Sequence, residues 1–76
     1  MEVGKYLEMT AYMPAGRRTF VWEVKNRIRN ILLGEIRWFG RWRQYAFFPA
    51  KDTVFNVDCM ADIAAFIRDR MEERRK

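Results

Sequence analysis

The chain contains no histidine and only one cysteine. Without an imidazole it lacks the side chain that most often moves protons near neutral pH, and one thiol with no histidine makes neither a zinc set nor an intramolecular disulfide. Cys59 stands near a helix start, where the dipole can activate a thiol, but its apolar neighbours read more simply as a buried small hydrophobe. Asp58, Asp62 and Asp69 are spaced like helix caps and solvated helix positions rather than a metal cluster, and a glycine-rich phosphate loop is missing. The expectation is therefore a protein that is not an enzyme and needs no cofactor or metal. No run approaches the roughly 18 apolar residues of a membrane span. The opening MEVGKYLEMTAYMPAG does not have the basic-then-apolar order of a signal peptide. A chain neither exported nor membrane-embedded, in a reducing cytoplasm, fits these absences.

The composition supports a folded core. Among 76 residues, half are apolar, 16% aromatic and 33% charged, well away from the apolar-poor, charge-rich range of disordered chains. A single core of this size supplies roughly 3–5 kcal/mol, so large aromatics or self-association gain importance. The charge is +5, from 15 Lys+Arg against 10 Asp+Glu, with eleven of the cations arginine. That balance favours polyanions or acidic protein surfaces as partners.

Residues 1–16 read either as one short helix or as an irregular strand, ended by Pro14-Ala15-Gly16. They form an N-terminal extension, mobile or folded over the sheet, ahead of a single domain at 17–76. Thr19 to Lys25 reads as a strand with Phe20, Trp22 and Val24 on one face. Asn26 to Asn30 forms a loop, and a second strand runs from Ile31 to Phe39. Gly40-Arg41 suits a type II′ turn into a third strand, Trp42 to Phe48, which Pro49 ends. That turn pairs Trp38 with Arg43, Ile36 with Tyr45 and Gly34 with Phe47, and an aromatic ring can lie over the bare glycine; a simple bulge is the alternative. A helix follows, N-capped by Asn56 or Asp58, with an apolar stripe at Met60, Ile63, Ala64, Ile67 and Met71 flanked by Cys59 and Phe66. Acidic residues near its start and Arg68, Arg70, Arg74, Arg75 and Lys76 near its end complement the helix dipole. The expected fold is α+β: a three-stranded antiparallel meander with one C-terminal helix packed on one face, β-β-β-α.

One sheet face then carries Leu32, Ile36, Trp38, Tyr45, Phe47, Phe20, Trp22 and Val24 and makes the better core. The other holds Leu33, Phe39, Trp42 and Phe48, interleaved with Arg37 and Gln44. This second face meets residues 1–16, a second copy of the chain, or another macromolecule. Arg37, Phe39, Arg41, Trp42, Gln44 and Phe48 are the candidate partner-binding residues, with Arg17, Arg18, Arg27 and Arg29 as a basic rim. Arginine beside aromatic rings suits single-stranded nucleic acid, phosphate to the cation and base to the ring. The same residue types dominate protein interface hot spots. Too few rings share one face to track a strand, which places a protein partner ahead of nucleic acid, with a homodimer as the third option.

The segment Leu33-Gly34-Glu35-Ile36-Arg37-Trp38-Phe39, then Trp42-Arg43-Gln44-Tyr45-Ala46-Phe47-Phe48-Pro49 and Thr53-Val54-Phe55-Asn56, resembles a group of small uncharacterised bacterial and phage-encoded proteins. In that pattern a Leu-Gly strand, Trp-Arg-Gln-Tyr and a Phe-Phe-Pro end precede an Asn-led helix with a Cys and an Asp-Ile-Ala run, here Cys59 and Asp62-Ile63-Ala64. The resemblance covers about Thr19 to Arg68. It implies a phage or mobile-element accessory protein that acts by binding, including inhibition of host defence or replication machinery, in the cytoplasm of a bacterial host.

Overall fold

The computed structural model describes residues 1–75; Lys76, counted above with the basic helix end, lies outside the described residues. The strands are β1 (Glu2–Val3), β2 (Leu7–Tyr12), β3 (Val21–Asn26), β4 (Leu32–Phe39) and β5 (Gln44–Pro49), followed by the helix α1 (Val57–Arg74). Neighbours in sequence are neighbours in space, giving a five-stranded sheet in the order β1-β2-β3-β4-β5, antiparallel throughout.

This overturns the three-stranded expectation. The segment read as an N-terminal extension supplies two further strands, and β2 pairs with β3 along its whole length, from Leu7↔Asn26 to Tyr12↔Val21. It lies in the plane of the sheet, beside it rather than over its second face. The period-2 signal was present, since Leu7 and Met9 turn inward while Glu8 and Thr10 turn away. It was diluted because Leu, Met, Glu and Ala are better helix formers than strand formers, so propensity opposed the pattern. Burial decides the outcome: Leu7 and Met9 are almost wholly enclosed.

The core lies between one sheet face and α1. Leu7, Met9, Val24, Ile36 and Tyr45 from the sheet meet Cys59, Ile63 and Phe66 from the helix, with Trp22, Trp38 and Phe47 packed around them. Trp22 sits edge-on to both Tyr45 and Phe66, with centroids 5.4 and 5.6 Å apart. Two residues assigned to the core, Phe20 and Leu32, are instead about half exposed. Phe20 stands just outside β3. Leu32 is displaced by a bulge: Val24 pairs with Gly34 but Lys25 pairs with Leu32, leaving Leu33 as the extra residue. A bulge breaks the alternation of faces, so Leu33 packs against the core and is not on the second face as expected. The helix stripe is also rotated. Its buried line is Cys59, Ile63 and Phe66, while Met60 and Ala64 are exposed.

The β4–β5 connection differs from a two-residue turn. Trp42 and Arg43 leave the strand: Phe39 pairs with Gln44, Trp38 with Tyr45, and Gly34 with Pro49. Trp42 N–H donates to the Phe39 carbonyl and Arg43 N–H to that of Gly40. The left-handed residue is Arg43 at φ 53°, and Gly40 needs no positive φ. The register is two residues from the expected one, so the side chains that stay paired between β4 and β5, from Gly34 to Phe39 and from Gln44 to Phe48, keep their faces. The ring over Gly34 survives this shift, because Phe47 reaches it diagonally.

Asn56 is the N-cap; its side-chain oxygen accepts a 2.8 Å bond from Cys59 N–H. Asn56→Ala leaves that donor unpaired and is expected to lower stability by about 1 kcal/mol. A urea melt reads this as a lower midpoint with an unchanged slope.

Candidate functional site

The second sheet face carries Glu8, Thr10 and Tyr12 from β2, Val21, Glu23 and Lys25 from β3, Glu35, Arg37 and Phe39 from β4, and Gln44, Ala46 and Phe48 from β5, by alternation from the paired registers. Its charges are segregated. The carboxylates lie toward β2 and the bulged part of the sheet, where Tyr12 Oη donates 3.0 Å to Glu35 Oε2 and Lys25 lies 3.8 Å from Glu23. That hydrogen bond to a carboxylate, with the negative charge behind it, holds the Tyr12 phenol above its usual range.

At the β4–β5 end the face changes character. Phe39 is the hub: Trp42 packs edge-on against it at 4.8 Å and Phe48 at 6.0 Å. The Arg37 guanidinium stacks on the Phe48 ring 3.9 Å from its centroid, an arrangement favoured by the ring quadrupole. Among the described residues, no carboxylate lies within ion-pair distance of Arg37. Trp42, lifted out of the strand by the four-residue turn, is 63% exposed. The structure thus brings together Arg37, Phe39, Trp42 and Phe48, with Gln44 directly opposite Phe39 in the ladder and Arg41 exposed in the adjoining turn.

The proposed basic rim divides. Strand direction puts the 13–20 loop at the same end of the sheet as the 40–43 turn, so exposed Arg17 and Arg18 lie at the Trp42 end. Arg27 and Arg29 lie in the β3–β4 loop at the opposite end. Arg27 is engaged there: it donates 2.6 Å to the Lys5 carbonyl and pairs with Glu2 at 3.2 Å, tying the β1–β2 turn to the sheet. One further arginine lies at the Trp42 end of the sheet but on its opposite, helix-covered face. Arg74, in the last turn of α1, lies 4.1 Å from the Trp38 ring centroid. Helical periodicity contains no signal for this, because it does not say toward which end of the sheet the helix runs.

An uncharacterised 9.3 kDa protein of Acholeplasma phage L2 is 32% identical over 72 residues, spanning 95% of this chain and 92% of the phage protein. The chain belongs to the family of that small phage protein. The match runs well beyond the expected Thr19 to Arg68 and takes in nearly the whole chain, as suits a fold in which β2 is part of the core. No family model and no solved structure matches.

Among the described residues no group of three or more His, Cys, Asp and Glu side chains is placed to hold a metal ion. No described helix is long and apolar enough to cross a membrane. The arrangement is a small aromatic cluster with the Arg37 guanidinium over the Phe48 ring and exposed arginines in the adjoining turns; chemically it offers apolar contact and positive charge side by side.

Proposed function

We propose that this protein is a non-enzymatic binding module that holds an acidic protein partner, of the bacterial host or of the phage, through Arg37, Phe39, Arg41, Trp42, Gln44 and Phe48. The observation that carries the reading is the geometry of the aromatic cluster. Base stacking needs open ring faces. Here the Phe39 and Phe48 rings pack edge-to-face and Arg37 covers Phe48, which leaves Trp42 as the main ring free to meet a partner. One exposed tryptophan braced by neighbours and bordered by arginine is the composition of a protein hot spot. The net charge of +5 steers it toward acidic surfaces, and the role proposed with this reading is inhibition of host defence or replication machinery, as the resemblance to small phage proteins implies.

The test is a pull-down from host lysate with and without nuclease. The expected result is a protein captured in both arms and lost with Trp42→Ala, whose circular dichroism matches that of the parent. A truncated hot-spot tryptophan weakens binding by about 2 kcal/mol or more, roughly thirtyfold. Capture abolished by nuclease would overturn the protein reading.

A second reading, nucleic-acid binding, is favoured by the gathering of Arg17, Arg18, Arg41, Arg43 and Arg74 at the Trp42 end. It predicts binding of a mixed single-stranded oligonucleotide that falls steeply as salt rises. Absence of binding at low salt would eliminate it.

A further inference from the structure

Among the described residues, three other than glycine have a positive φ: Asn30 at 56°, Asp52 at 60° and Arg43 at 53°. Asparagine and aspartate visit this left-handed region readily, because their short polar side chains can bond locally. Arginine has no such compensation, and its Cβ crowds the following carbonyl there. Arg43 is the one of the three whose type disfavours its conformation.

The turn accounts for the conformation but not for the residue. Trp42 N–H donates to the Phe39 carbonyl at 3.1 Å and Arg43 N–H to the Gly40 carbonyl at 3.2 Å, and a left-handed residue after such a tight turn returns the chain to its partner strand. Glycine or asparagine is the favoured type at that step. The turn does contain a glycine, but at Gly40, where φ is not positive. Among the described residues nothing offsets the arginine either. Its side chain is exposed, makes no hydrogen bond, joins no ion pair and lies over no ring. Strained backbone of this kind clusters at sites that contact a ligand.

The electrostatic setting gives the kind of ligand. Arg17, Arg18 and Arg41 are exposed at the same end of the sheet. None of them, nor Arg43, has a carboxylate within ion-pair distance, whereas Arg27, Arg70 and Arg75 are paired with Glu2, Glu73 and Glu72. Cations left without counter-charge around one exposed tryptophan attract an anionic surface. We infer that Arg43 is a contact residue for the carboxylates of the acidic protein partner, held where glycine is favoured because the partner, and not the fold, uses its guanidinium. This rests on the acidic-partner reading of the Trp42 face, and it adds a contact that alternation along the strands does not supply.

The test joins a melt to a binding measurement on the whole chain. Thermal denaturation is followed by circular dichroism, and the anisotropy of labelled poly-L-glutamate, and separately of a labelled mixed single-stranded oligonucleotide, is titrated at about 0.1 M salt, where charges more than about 10 Å apart are screened. Arg43→Gly is expected to melt roughly 4–8 °C above the parent, and Arg43→Asn to rise by less. Both should bind poly-L-glutamate roughly threefold to tenfold more weakly. Arg43→Lys keeps the charge and should melt like the parent and retain most of its binding. Arg29→Ala, which removes an exposed charge at the opposite end, should change neither. Binding that Arg43→Gly leaves intact, or a loss that Arg29→Ala matches, overturns the role of Arg43. A melting temperature for Arg43→Gly at or below the parent's overturns it too, because the residue is then not held against its preference. A parent that fails to bind poly-L-glutamate overturns the carboxylate assignment together with the acidic-partner reading, which separates that failure from one of Arg43 alone.

Discussion

Replacing Leu7 with alanine is expected to lower stability by about 2–5 kcal/mol, the range for removing a fully enclosed leucine with partial collapse of the cavity. A chain of 76 residues has about 4–11 kcal/mol in total on the usual per-residue scale, so the variant should be largely unfolded well below the parent's midpoint. Leu7 is 0% exposed, sits opposite Val3 and Asn26, and belongs to the cluster that includes Met9, Val24, Ile36, Ile63 and Phe66. A urea titration should show a lower midpoint with the slope preserved. Met13→Ala, an exposed change just beyond β2, should stay within about 0.5 kcal/mol. If residues 1–16 were a mobile extension, both substitutions would be silent. Equal melts for Leu7→Ala and the parent would therefore sink the five-stranded sheet.

Gly34→Ala is the second large effect, and its sign is the informative part. In an ordinary strand this change stabilises by roughly 0.5–1 kcal/mol, because glycine loses the most backbone freedom on folding. At Gly34 the backbone is at φ 155°, and a new Cβ would stand 2.5 Å from the Phe48 carbonyl oxygen and 2.8 Å from Phe47 Cε1. The ring can shift, but the carbonyl is held in the β4–β5 ladder. Overpacking and backbone strain together should cost about 3 kcal/mol, a fall in melting temperature of roughly 12–24 °C for a domain of this size. Thermal denaturation followed by circular dichroism checks it. Adding Phe47→Leu should recover part of the loss and leave the part due to the carbonyl. An unchanged or higher melting temperature for Gly34→Ala would mean that the bulge and the ring over it are misplaced.

Different elements were legible to different degrees. Strands β3 to β5 and the helix were readable because β-branched and aromatic residues alternate cleanly and Asn56 marks a cap. The close contact of Phe47 with Gly34 was readable although the register was not, because a slip of two residues preserves the faces of the residues that stay paired. For β2 the sequence left a short helix and an irregular strand open, because its residue types favour a helix while its burial pattern favours a strand, and its place in the sheet beside β3 was not legible because burial depends on partners far away in the chain. The bulge that exchanges Leu33 and Leu32 was open to suspicion at Gly34, but which neighbour it turned inward was not. Within the candidate site, the grouping of Arg37, Phe39 and Phe48 followed from alternation, whereas Trp42 reaches Phe39 from the turn. The separation of Arg17 and Arg18 from Arg27 and Arg29, and the arrival of Arg74 near Trp38, followed from strand and helix direction.

By itself the sequence determined the chemical type of this protein: no imidazole, one thiol, an arginine-rich charge, and aromatics dealt alternately to two faces of a hairpin. These are local quantities, set by residue identity and by the two-residue period of an extended chain. Only the tertiary structure decided that β2 lies in the plane of the sheet beside β3, and that the helix buries the line Cys59, Ile63 and Phe66 while Met60 and Ala64 stay exposed. Each of those depends on which distant residues compete for the same buried area, and that competition is resolved only when the whole chain packs at once.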